Sequence, residues 1–175
     1  PILELVHSEN RPVVVIAQDF SEEVIETLRI NVANGILRIC CVKAPSYGEY
    51  RKMILEDLSI LTNANFLTHD SALEINDLQI HDLGSCDKII ISKDKTMIIG
   101  GKGQNNIPDR VNLIKARLAE IKKDDSVNQE FLTEFFETRI ARLIGGVASI
   151  KVGGVTELEM KERKDRIDDA VCATK

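Results

Sequence analysis

The side chains able to do chemistry are few and scattered. Four cysteines (Cys40, Cys41, Cys86, Cys172) and three histidines (His7, His69, His81) show no Cys-x-x-Cys or His-x-x-x-His spacing. No metal site is therefore expected. Cys40 and Cys41 are adjacent in an apolar run. Neighbours on a strand point to opposite faces, so a bond between them would be strained. Reduced and mostly buried thiols are the expectation. No histidine sits near a Ser or Cys in a nucleophile-elbow setting, so all three read as surface groups. Gly100-Gly101-Lys102-Gly103 lacks the phosphate-loop pattern and follows a hairpin, so it reads as a hairpin exit. Asp168 and Asp169 are neighbours on a helix and point about 100° apart, which makes them a solvated face rather than an acid/base pair.

The helix after Ser21 is more informative. At about 100° per residue, Val24, Leu28 and Val32 fall within about 80° of one another and form the expected core stripe. Ile25 flanks that stripe. Ile30 lies well outside it, with Arg29 between, so the helix does not bury Ile30 by its own period. An isolated surface Ile is ordinary. From the period alone Ile30 reads as such a residue; the alternative is that a neighbouring helix ending in Leu3 and Leu5 completes an apolar groove there, suited to segments of a partner.

Composition narrows the class. Of 175 residues, 43% are apolar and 29% charged, enough for a packed core with a solvated surface. A net charge of −5 and 4% aromatics, with no Trp, argue against a nucleic-acid binder, which needs a basic stripe and stacking rings. The longest apolar runs, four to five residues, fall far short of the roughly 20 a membrane-spanning helix needs.

The elements alternate. Val13–Ile16 reads as a strand buried on both faces. Ser21 caps a helix that Gly35 ends, and a second buried strand covers Leu37–Val42. A turn-rich loop leads to a helix over Glu49–Thr62, with Ile54, Leu58 and Leu61 on one face. Asn65–Thr68 is expected as a short strand, and Leu73–Leu83 is ambiguous between a short helix and a turn. Lys88–Ser92 and Thr96–Ile99 flank Lys93-Asp94-Lys95 as a hairpin. Helices over Pro108–Lys123 and Asn128–Ile144 form a helical hairpin expected to pack on the sheet. Gly145-Gly146 breaks it, Val147–Val152 reads as a strand, and a final helix begins near Glu157. This is an α/β class, a sheet flanked by helices. The first and last residues both read as helical without start or stop signals, so the chain is expected to be a piece of something longer.

Several blocks carry a resemblance. Lys43-Ala44-Pro45-Ser46-Tyr47-Gly48-Glu49-Tyr50-Arg51-Lys52 resembles a signature segment of the group I, bacterial-type chaperonins. Pro12–Asp19, Leu143–Gly153, Thr156–Glu162 and Asp169–Thr174 resemble further blocks of that family in the same order. The likeness implies an apical-domain-like α/β fold over 1–146, and a hinge return strand with an intermediate-domain helix over 147–175. It implies a protein-folding chaperone. Non-native polypeptides and the co-chaperonin's mobile loop would bind between two exposed helices through Leu3, Ile25 and Ile30. Arg29 stands where the family usually has an aliphatic residue. Gly145 and Gly146 match the hinge, Glu157 an inter-subunit salt-bridging residue, and Asp169 the catalytic Asp of the ATPase.

The parent is expected to form a ring of identical subunits and to use ATP and Mg, as a member of the protein-folding isomerase class. This piece is expected to be monomeric, to bind no cofactor and not to hydrolyse ATP by itself. A bacterial cytoplasmic location is implied, with mitochondrial matrix and plastid stroma as the other settings of the family. Two other readings are a diverged paralogue with a specialised partner, prompted by Arg29, Tyr47 and Tyr50, and a stand-alone α/β enzyme, for which the sequence offers no constellation of residues.

Overall fold

The computed structural model describes residues 2–68, 77–93, 95–123, 128–145 and 150–174. It divides into two compact units, Pro1–Gly145 and Gly146–Lys175. In the first, α1 (Ile2–Glu9) precedes β1 (Val13–Ala17), α2 (Glu22–Ala33) and β2 (Ile39–Lys43). β1 and β2 pair in parallel, from Val13 opposite Ile39 to Ala17 opposite Lys43. A parallel pair needs a crossover, and α2 is that crossover. The Ser21 hydroxyl accepts the Val24 N–H at 3.4 Å, and Glu22 and Glu23 occupy the first turn, where the helix dipole favours them. Gly35 ends the helix at φ +70°, a conformation that suits a residue without Cβ.

α3 (Gly48–Thr62), the hairpin β3–β4 (Lys88–Ile91, Thr96–Ile99), α4 (Ile107–Ile121) and α5 (Gln129–Ile144) complete this unit. β3 and β4 are antiparallel, with Lys88 opposite Ile99. α4 and α5 pack against each other and against α3. Their apolar faces meet in a core of Val111, Ile114, Leu118, Phe136 and Leu143, edged by Met53, Ile107 and Ile140. Inside this layer lies an ionic cluster. Arg139 donates to Asp57 from Nε at 2.7 Å and from Nη2 at 3.0 Å. Arg110 donates to Asp57 at 2.8 Å and to Glu56 at 2.9 Å. The Arg139 guanidinium also lies over the Phe136 ring, 5.1 Å from its centroid. Burial works against the Arg110 charge, yet its bonds to Asp57 and Glu56 outweigh that and raise its pKa.

The second unit is built on α6 (Glu157–Ala173). Thr156 Oγ1 accepts the Glu159 N–H at 3.2 Å, while Glu159 accepts the Val155 N–H at 2.9 Å. Arg163 then joins Glu159 to the Gly153 carbonyl, fastening the incoming turn to the helix.

Several expectations are corrected. The helical hairpin rests on α3 as its principal neighbour, because the apolar faces of all three helices converge there. Among the described residues the strands form two separate two-stranded sheets, one parallel and one antiparallel. β1 is half-buried along its whole length rather than sealed on both faces. Residues 65–68 form no strand, and Asn65 is instead tied by its N–H to the Asp82 carbonyl. Residues 150–152 are not in a strand, and 147–149 lie outside the described residues, as do His69, Asp94 and 73–76. Of the ambiguous stretch, Ile80–Asp82 is a 3-10 turn. Cys40 and Cys172 are exposed and Cys41 and Cys86 half-buried, so the thiols are not mostly buried. Among the described residues no helix is long and apolar enough to cross a membrane.

Candidate functional site

α2 is held at both ends. At its start, Lys43 at the end of β2 pairs with Asp19 beyond β1 at 2.8 Å, and the Phe20 N–H bonds the same carboxylate. The Lys43 bond, then the Phe20 N–H, hold the Asp19 carboxyl below its usual value. Past the C-terminus of α2, the Ile36 carbonyl accepts a hydrogen bond from His7 Nδ1 of α1 at 3.1 Å. A carbonyl only accepts, so the proton sits on Nδ1.

The expected core stripe of α2 is only one residue deep. Leu28 is 8% exposed, but Val24 and Val32 are 46% and 44% exposed. Ile25 and Ile30 are 46% and 51% exposed, and Ile36 just beyond the helix is 50% exposed. Helical period decides which residues share a face, but a face is buried only where another element covers it. Isolated surface Ile or Val residues are common, but five large apolar side chains on one helix and its exit are not. Arg29 lies among them, donating from Nε and Nη2 to both oxygens of Glu26 at 3.0 and 2.6 Å. Those hydrogen bonds raise the Arg29 pKa and lower that of Glu26.

The other singled-out residues lie elsewhere. Leu3 is half-buried on α1, beside the buried Val6; the side chain of Leu5 lies outside the described set. Ile25, Arg29 and Ile30 share α2, with Ile25 and Ile30 about 140° apart around it and Arg29 between them. Gly145 ends α5 with extended backbone at φ −67°. A Cβ there would run into the Ala141 carbonyl, so Gly145 is needed for space rather than for an unusual dihedral. Gly146 lies outside the described residues. Glu157 opens α6 and Asp169 sits in its last turns, both exposed.

The Gly100–Gly103 stretch does not form a phosphate cradle. It is packed against the end of α3, where the Gly103 N–H donates to the Leu61 carbonyl at 2.9 Å. A Cβ at Gly101 or Gly103 would collide with the Leu61 or Ile60 carbonyl, so these glycines allow close packing and do not cradle an anion.

Residues 43–52 join the parallel pair to the helical layer. Ser46 and Gly48 take positive φ, and Arg51 Nε donates to the Ser46 carbonyl at 3.0 Å. Tyr50 stacks edge-on against Phe135 and Phe131, with centroids at 4.9 and 5.6 Å. Sequence reasoning missed this aromatic cluster, the Asp57 ion cluster and the Glu26–Arg29 pair. Only the last had a local signal, opposite charges three residues apart on a helix.

The α2 crossover, its uncovered apolar residues and the α3–α5 layer define an α/β protein with a surface of the kind that meets other polypeptides. The chain matches the TCP-1/cpn60 chaperonin family over residues 1–175 and belongs to it. Its role is that of a chaperonin, in protein folding.

Proposed function

We propose that this chain is the guest-binding, apical part of a group I, bacterial-type chaperonin, with residues 1–146 forming that domain and 147–175 returning toward the intermediate domain. The guests are non-native polypeptides and the mobile loop of a co-chaperonin, bound between α1 and α2 through Leu3, Ile25 and Ile30. The supporting observation is the set of uncovered apolar side chains on α2, in a chain of this family. Burying apolar surface yields roughly 25 cal/mol per Å² whatever the sequence that supplies it, which suits a site meeting many guests.

Gly145 and Gly146 serve as one crossing of the hinge, and Glu157 as an inter-subunit contact in the parent ring. Asp169 is assigned by resemblance to the parent's ATPase.

The test is suppression of light scattering by a chemically denatured client as it is diluted from denaturant. The chain is expected to suppress aggregation, and the Ile25→Ser/Ile30→Ser variant to lose most of that effect. A chain without suppression, or a variant that suppresses equally, overturns the reading.

A further inference from the structure

The two exposed isoleucines of α2 are not neighbours on one continuous apolar surface. At about 100° per residue they stand about 140° apart around the helix, with Arg29 about 40° and Glu26 about 100° from Ile25. The ion pair thus occupies the arc between them. Both oxygens of Glu26 are taken by Nε and Nη2 of Arg29, at 3.0 and 2.6 Å. The pair remains largely in water, the two side chains being 72% and 55% exposed. Across its width the face therefore runs apolar, ionic, apolar.

That order has consequences for a guest. A hydrated surface pair costs little where it stands. Covering it with apolar groups removes its water and replaces it with nothing. A uniformly apolar segment can thus cover Ile25 or Ile30, but covering both strips the pair. A segment with polar residues between its apolar anchors covers both and leaves the pair solvated or bonded. Charge narrows the guest further. α2 carries Glu22, Glu23 and Glu26 against Arg29 and no Lys, so its net charge is 1 − 3 = −2. With Glu26 matched to Arg29, the exposed Glu22 and Glu23 of the first turn remain, Glu22 within the same arc and Glu23 about 20° from Ile30 around the helix, two turns before it.

We infer that the Glu26–Arg29 pair is a specificity element of this face: it disfavours uniformly apolar guests and, with Glu22 and Glu23, selects non-native segments in which Lys or Arg alternates with apolar anchors. The inference rests on α2 being a guest-binding helix.

The test is fluorescence anisotropy with three labelled peptides sharing the same leucine positions, the intervening residues being lysine, glutamate or alanine. The chain should bind the lysine peptide roughly two- to fivefold tighter than the other two, with the margin shrinking as salt rises. Glu26→Ala/Arg29→Val, which makes the arc apolar, should tighten the alanine peptide until it equals or passes the lysine peptide. Glu22→Gln/Glu23→Gln should remove the lysine preference. Ile25→Ser/Ile30→Ser should weaken all three. If that last variant binds all three as well as the parent chain, the guest-binding reading fails and this inference with it. If it loses them, but Glu26→Ala/Arg29→Val ranks the peptides as the parent does, the inference alone is overturned.

Discussion

Two arginines in this chain make the same bond in opposite settings. Arg29 grips both oxygens of Glu26 on α2, and Arg139 grips both oxygens of Asp57 between α5 and α3. The first pair stands in water; the second has side chains only 5% and 10% exposed. Around Arg139 everything is closed off: two phenylalanine rings lie against its guanidinium, and Arg110 fills the remaining side of Asp57. Around Arg29 the apolar neighbours stay open. A salt bridge therefore means different things in the two places. In the helical layer, removing one partner leaves a buried charge with fewer partners and no water to replace the lost one. On α2, the pair shapes what the surface will accept and contributes little to folding.

The sharpest way to break this contrast is to delete each arginine. Arg139→Ala leaves Asp57 buried with one of its two cationic partners gone, and is expected to cost about 3–5 kcal/mol in urea unfolding. Arg29→Ala should leave the unfolding midpoint where it was. Equal effects would show that burial does not separate the two pairs.

Gly103→Ala comes next. Its Cβ would meet the Ile60 carbonyl, in a layer where the end of α3 cannot easily give way. Forcing extra volume into such a junction costs about 1–3 kcal/mol. Measured thermal unfolding of this variant should show that loss, whereas added bulk at Val24 on the open face should not.

A smaller effect should appear in acid. Asp82 accepts the Gln79 N–H at 2.9 Å and Asn65 Nδ2 at 2.6 Å. The Gln79 bond chiefly lowers its pKa below 3.8; burial opposes this, while Asn65 and nearby His81 add to it. A carboxylate whose folded value is depressed stabilises the fold above its unfolded value, about 3.9, and that stabilisation is lost as pH falls through the lower folded value. Asp82→Asn should flatten this part of the stability profile below about pH 5, read from urea midpoints. An unchanged profile would mean that the Asp82 carboxyl contributes no pH dependence to folding, and would overturn the depressed folded value.

The same contrast explains what was legible in the sequence. The limits of α2 follow from Ser21 and Gly35, and the β3–β4 hairpin from a polar turn between two β-branched runs, because both signals are local. The end of α5 is equally local, set by Gly145. Asp57 was not legible, since its partners lie 53 and 82 residues further along the chain. Nor was the exposure of Val24 and Val32, because a periodic pattern names a face without naming what lies opposite it. The Glu26–Arg29 pair was readable from spacing, and its place between Ile25 and Ile30 follows from the same helical wheel.

The smallest expected stability effect per residue is the most discriminating for function. Ile25 and Ile30, 46% and 51% exposed, forgo about half of the roughly 1.5–3 kcal/mol that full burial of an aliphatic side chain yields. Because the folded state collects only part of that contribution, changing both to serine should alter unfolding by no more than about 1 kcal/mol per site. Serine also has lower aggregation propensity on an exposed helix, so solubility should not fall. Chemical unfolding and client-aggregation assays on the same preparation then separate two meanings of an exposed isoleucine. If the variant stays within that bound but no longer holds a denatured client, the residues are there to be covered by something else. If it is markedly less stable, the open face of α2 is part of the fold's own core and the contrast with the α3–α5 layer collapses.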